Sequence, residues 1–128
     1  MTEFEGRRRM AGSAAHVYSV AADTRQLDAW LPGRAVVHEG EPPGLDVDVH
    51  SPDGADRPPV VLTAQRDRLR LEWGRRTDVH RGWLQVTSAG DDSSLATLNV
   101  AFPGAAEDVQ STVEESLRRL ANLVTGNG

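Results

Sequence analysis

Residues 105–125, AAEDVQSTVEESLRRLANLVT, decide the fold. Val109, Val113, Leu117, Leu120 and Val124 recur there at helical spacing, an unbroken apolar stripe along one side of a long amphipathic helix. Glu107 and Asp108 fall in its first turn, where the positive end of the helix dipole favours them. Arg118 and Arg119 lie toward the other end, and Gly126 is a natural stop. A helix with one greasy side needs an apolar surface to lie on. The rest of the chain reads as the sheet that supplies it.

Working back from the helix, residues 82–88 and 94–102 read as a hairpin around Gly90-Asp91-Asp92-Ser93. If Leu84 and Val86 share a face with Leu98, Val100 and Phe102, the opposite face gathers Trp83, Gln85, Thr87, Thr97 and Asn99. One side is then apolar and the other mostly polar, as a half-buried antiparallel sheet requires, and Trp83 is the residue that fits this register worst. Strands at 59–66 and 68–74 precede the hairpin; in the second, Leu69, Leu71 and Trp73 alternate with Arg68, Arg70 and Glu72. The segment SPDGADRP at 51–58 reads as the longest loop and a candidate gate. Residues 45–50 put Leu45, Val47 and Val49 on one face; 41–44 are a turn, and 35–39 form another short strand.

At the front, residues 2–10 alternate with period two, placing Phe4, Gly6, Arg8 and Met10 on one face, so they are a strand. Arg8 is then the one arginine to check for a buried partner. Ser13 is a natural N-cap for a helix from 14 to 21. Asp23-Thr24 can cap a second short helix carrying Leu27 and Trp30, which Pro32-Gly33 stops.

A length of 128 residues suits a single domain, 1–128, and leaves no room for two separate cores. Apolar residues make up 38%, many of them alanine and none isoleucine, so the core is thin. The absence of cysteine excludes disulfide scaffolds and thiolate chemistry, and the 14 basic residues are all arginine, so no lysine can form a Schiff base. A net charge of −5 argues against nucleic acid as a partner. No stretch approaches the ~20 apolar residues of a membrane span, and Glu3 and Glu5 spoil any export signal, so a cytoplasmic protein is expected. No phosphate-binding glycine loop, nucleophile elbow or zinc motif occurs.

The order is therefore strand, two short helices, six strands and one long helix. The expected fold is α+β: a curved seven-stranded antiparallel sheet wrapped around the C-terminal helix, because nothing else can cover the apolar concave face. That order resembles the START-like superfamily, also called SRPBCC or helix-grip, which includes polyketide cyclases. The small helix at 14–21 followed by Asp23, the Asp28-Ala29-Trp30-Leu31-Pro32 stretch, the Arg81-Gly82-Trp83-Leu84 strand and Glu115-Ser116-Leu117-Arg118-Arg119-Leu120 carry the resemblance. It implies a cavity between sheet and last helix that holds lipids, polyketides or other apolar molecules.

On that reading Leu71, Trp73, Leu98, Val100 and Phe102 supply the floor, Leu117 and Leu120 the roof, and Trp30 with Tyr18 the mouth. The same side chains are what ordinary core packing would use. Asp46, Asp48 and His50 project from one side of a strand, but successive same-face residues stand roughly 6.5–7 Å apart, a poor bite for a metal, and the polar side of a strand explains them. His16, His38 and His80 lack triad or ligand spacing. The arginines from Arg66 to Arg81 read as a solvated outer face. No metal, cofactor or catalytic residue is assigned. The leading expectation is the binding of a small, mostly hydrophobic molecule, with a homodimer left open. Two rivals are a polyketide aromatase/cyclase-like enzyme, with His16 or Tyr18 as its acid or base, and a non-enzymatic interaction protein with a collapsed cavity.

Overall fold

The computed structural model describes residues 2–39, 45–52, 59–75 and 77–127. In chain order the elements are β1 (Thr2–Met10), α1 (Ala14–Ala21), α2 (Leu27–Trp30), β2 (Arg34–Glu39), β3 (Leu45–His50), β4 (Val60–Gln65), β5 (Arg70–Trp73), β6 (Arg81–Gly90), β7 (Ser93–Phe102) and α3 (Ala106–Asn122). The strands form one antiparallel sheet in the order β1-β7-β6-β5-β4-β3-β2, curled as a half-barrel with α3 against its inner face.

The β6–β7 hairpin adopts the segregated register. Leu84 pairs with Leu98 and Gly82 with Val100, while Trp83 pairs with Asn99 and Gln85 with Thr97. Leu84, Val86, Leu98 and Val100 are buried, and their outward neighbours are half-exposed. A slip by one residue would turn that whole apolar set to water, which is why the pairing is so well specified. Across the other edge of β7, Phe4 pairs with Val100 and Gly6 with Leu98.

Gly6 sets how closely α3 approaches. A Cβ there would stand 2.8 Å from Val113 Cγ1 and 3.3 Å from Leu117 Cδ1, so the helix rests directly on the β1 backbone. Arg8 departs from expectation. Alternation puts it on the Phe4/Met10 side, yet its side chain is exposed. β1 is an edge strand, and a long guanidinium arm beside an edge can reach water without a buried partner.

Three boundaries move. Asp23 does not cap α2; its Oδ1 accepts from the Arg25 backbone N–H at 3.0 Å in a turn, and α2 begins only after Gln26. The strand expected from residue 68 begins at Arg70, because Arg66–Arg68 form a single 3₁₀ turn and Leu69 adopts a left-handed conformation (φ 53°). Leu69 is neither Gly nor Asn, so no residue signalled that reversal. The Val86 N–H, donating to the Leu69 carbonyl at 3.0 Å, and Gln85 Nε2, donating to the Arg68 carbonyl at 2.6 Å, hold it in place. After Asn122 the last helix widens into a π turn, Leu123–Asn127, in which Gly126 leaves helical geometry. Residues 53–58 of the expected gate and the turn at 41–44 lie outside the described residues.

The N-cap on α1 is as expected: Ser13 Oγ accepts from the His16 N–H at 3.2 Å. Ala14, Val17, Tyr18 and Ala21 form the buried side of that helix.

Candidate functional site

α3 packs on β1 and β7, α1 on β6 and β7, and α2 between α3 and β2. Two tryptophans are buried among these elements. Trp73 of β5 meets Trp30 of α2 edge to face, with ring centroids 6.5 Å apart. Trp30 Nε1 donates to the Ala21 carbonyl at 3.1 Å, which satisfies its one polar atom and fixes the ring. Gly82, paired with Trp73 across β5 and β6, gives the second indole its seat, since a Cβ there would run into the ring and into the Asn99 carbonyl.

All nine residues expected to line a cavity come together in this one cluster with Val17, Leu27 and Leu84. A side chain facing a water-sized void keeps accessible surface toward it. Leu71, Leu98 and Leu120 keep none, Trp30 and Val100 1%, Trp73 2%, Phe102 and Leu117 3%, and Tyr18 5%. Trp30 and Tyr18, expected at the mouth, are buried with the rest.

A cleft of about 370 Å³ lies where the α2–β2 turn faces α3, lined by Asp28, Leu31, Pro32, Gly33, Ser111, Thr112, Glu115, Ser116 and Arg119. Asp28 Oδ1 accepts from the Ala35 N–H at 2.7 Å and so ties α2 to β2. On the facing side Glu115 takes hydrogen bonds from Arg118 and Arg119, which hold its carboxyl below the usual carboxylate range. Leu31 and Ser116 are buried, so the cleft narrows onto the core beneath a polar rim. Sequence reasoning missed these residues, because Asp28 and Glu115 meet only when the last helix closes over the first third of the chain.

Titratable groups are sparse inside. Burial pushes the Tyr18 hydroxyl above its ordinary 10.0, against a smaller opposing pull from Arg66. His16 is exposed on α1 and His80 is buried at 3%. Asp48 and His50 share a face of β3, the side chains of Asp46 and His38 lie outside the described residues, and among those described no three His, Asp or Glu side chains converge. Among the described residues no helix is long and apolar enough to cross a membrane.

No family model matches the chain, and no curated protein matches it. Solved structures do. Norcoclaurine synthase from Thalictrum flavum superposes at a TM-score of 0.61 over 99% of this chain and 95% of its own, at 14% identity. The Zhui aromatase/cyclase from Streptomyces sp. R1128 gives 0.63 over 98% and 92%, at 16% identity. The protein XoxI from Bacillus cereus gives 0.67 over 98% and 97%, at 14% identity. At such identities the likeness establishes architecture, and it spans the whole of the chain and nearly the whole of each neighbour. The chain thus has the helix-grip fold that these structures share.

Proposed function

We propose that this chain, acting as one domain, binds a small, mostly hydrophobic molecule between the sheet and α3, admitted through the cleft between α2 and α3. The observation that carries this reading is the construction of that cleft. Its outer wall is a four-residue helix with no side-chain cap, tied down by the Asp28–Ala35 and Trp30–Ala21 hydrogen bonds, and directly behind it lies a continuous apolar cluster. Binding is then an exchange in which α2 swings out and the ligand takes the volume Trp30 now occupies. Apolar area removed from water drives it at roughly 25 cal/mol per Å², less the cost of rearranging the plug. The neighbours named as a synthase and an aromatase/cyclase make such an interior site plausible for this fold and say nothing of the ligand.

One observation favours a second reading: the interior side chains leave almost no accessible surface. A packed core with no ligand, in a protein that works through its surface, fits that equally. The cyclase-like reading has only Tyr18 of its two candidates inside, and a phenol held protonated is a hydrogen-bond donor, not a base.

Native mass spectrometry of freshly purified protein, together with titration by the fluorescent apolar probe N-phenyl-1-naphthylamine, separates the two. A co-purified small molecule, or saturable probe binding abolished in a folded Leu117→Trp variant, supports the interior site. No bound mass and no saturable binding reject it in favour of the packed core.

A further inference from the structure

Another concavity lies on the opposite face of the sheet. It is a cleft of about 580 Å³ on the convex side, built on β1, β5, β6 and β7 around Trp83, the one tryptophan that packing does not explain. The Arg70 guanidinium lies over the indole, its Cζ 4.4 Å from the ring centroid. Glu72 accepts from Arg70 Nε, and Gln85 Oε1 accepts from Arg70 Nη1 at 3.4 Å, so the guanidinium is fixed in that stack. Asn99 stands opposite Trp83 on β7, and Glu3 comes from the edge strand.

The charge pattern is local. Arg70, Arg75 and Arg81 face this cleft against Glu3 and Glu72, a small excess of positive charge in a chain whose net charge is −5. Arg81 Nη1 donates to the Asp78 carbonyl at 3.3 Å, and the Arg75 backbone N–H donates to the Asp78 carboxylate, so the loop between β5 and β6 is pinned while the Arg75 side chain stays exposed. A second recess of about 610 Å³ adjoins the first, sharing Glu72, Gly74 and Arg75.

We propose that this outer cleft is a binding site for a planar aromatic anion, an aromatic carboxylate of one or two rings. The ring stacks on the Trp83–Arg70 layer, since indole and guanidinium both accept a flat partner. The carboxylate takes the fork of Arg75, the planar pairing for which guanidinium geometry is suited. Arg70, Arg81 and Trp83 stand on paired strands, so little ordering cost is left for the ring to meet. This site is independent of the interior one: it uses the other face of the sheet and needs no movement of α2.

The test uses 2-naphthoate and its neutral isostere 2-naphthamide, followed through the three indole N–H resonances of the intact protein, with Trp83→Phe assigning the outer one. The expectation is that 2-naphthoate shifts the Trp83 signal and leaves those of Trp30 and Trp73 in place. Substituting 2-naphthamide, or mutating Arg75→Gln, weakens binding about tenfold, the scale of one charge-assisted hydrogen bond. Trp83→Leu, checked for an unchanged fold by circular dichroism, abolishes binding as read by the fluorescence of 2-naphthoate itself, and Trp83→Phe keeps part of it. No Trp83 shift at millimolar 2-naphthoate overturns the proposal, as does equal binding of the amide. A response confined to Trp30 and Trp73 also overturns it, and would instead speak for the interior site.

Discussion

Trp30 and Trp73 meet edge to face at 6.5 Å, their planes 71° apart, and both are buried in the core. α3 sits down on Gly6 at one side of the sheet; the indoles close the other. The pair belongs to the core, and on the interior reading proposed above it is also the plug.

Trp73→Ala removes one half of the plug. Large-to-small changes of this kind cost about 3–5 kcal/mol, and urea unfolding reads the loss directly. The vacated volume should also take up N-phenyl-1-naphthylamine more tightly than the parent does. Trp73→Phe, which keeps most of the ring, is the gentler variant if the alanine does not fold. Unchanged stability would show that the indole is not the core element described.

Gly6→Val forces a branched side chain into the place where Val113 and Leu117 already lie. The helix must lift from β1, at about 1–3 kcal/mol for overpacking, seen as a lower Tm. Gly126→Ala, with no atom within 4 Å of the added methyl, is the control and should leave Tm nearly unchanged.

Asp28→Ala removes the acceptor for the Ala35 N–H. Hydrogen bonds to charged acceptors contribute about 1.5–3 kcal/mol, reduced here because Asp28 itself is exposed, so a loss of about 1 kcal/mol is expected. The specific signature is faster amide exchange at Ala35 with the β6–β7 amides unaffected. If the interior reading holds, probe uptake through the cleft also quickens.

Tyr18 gives the alkaline limb of the stability curve. Burial raises its folded pKa above the ordinary 10.0, so above that value the unfolded chain gives up the proton more readily than the folded one. Its contribution is present in full below pH 10.0 and is lost as pH rises through the folded pKa. Tyr18→Phe should flatten that decline, whereas an equal alkaline slope in both proteins would assign the loss elsewhere.

The amphipathic stripe from Val109 to Leu120 and the alternation in β6 and β7 were legible because each is a repeating pattern read from neighbours along the chain. Period 3.6 and period 2 do not depend on what packs against them. The turn at Leu69 was not legible, since a left-handed leucine carries no local signal and is held by Gln85 and Val86 from another strand. Arg8 misled because alternation names a face without saying whether anything covers it.

The sequence by itself determined the element order, the hairpin register and hence the helix-grip architecture, because backbone periodicity and the need to bury one apolar side leave few other solutions. Only the tertiary structure decided whether the space under α3 was open or taken. That depends on how closely the helix approaches Gly6 and on whether Trp30 and Trp73 point at each other, distances between residues far apart in the chain. The convex cleft at Trp83 was decided the same way: Glu3, Arg70, Arg81 and Asn99 become neighbours only because β1, β5, β6 and β7 lie side by side.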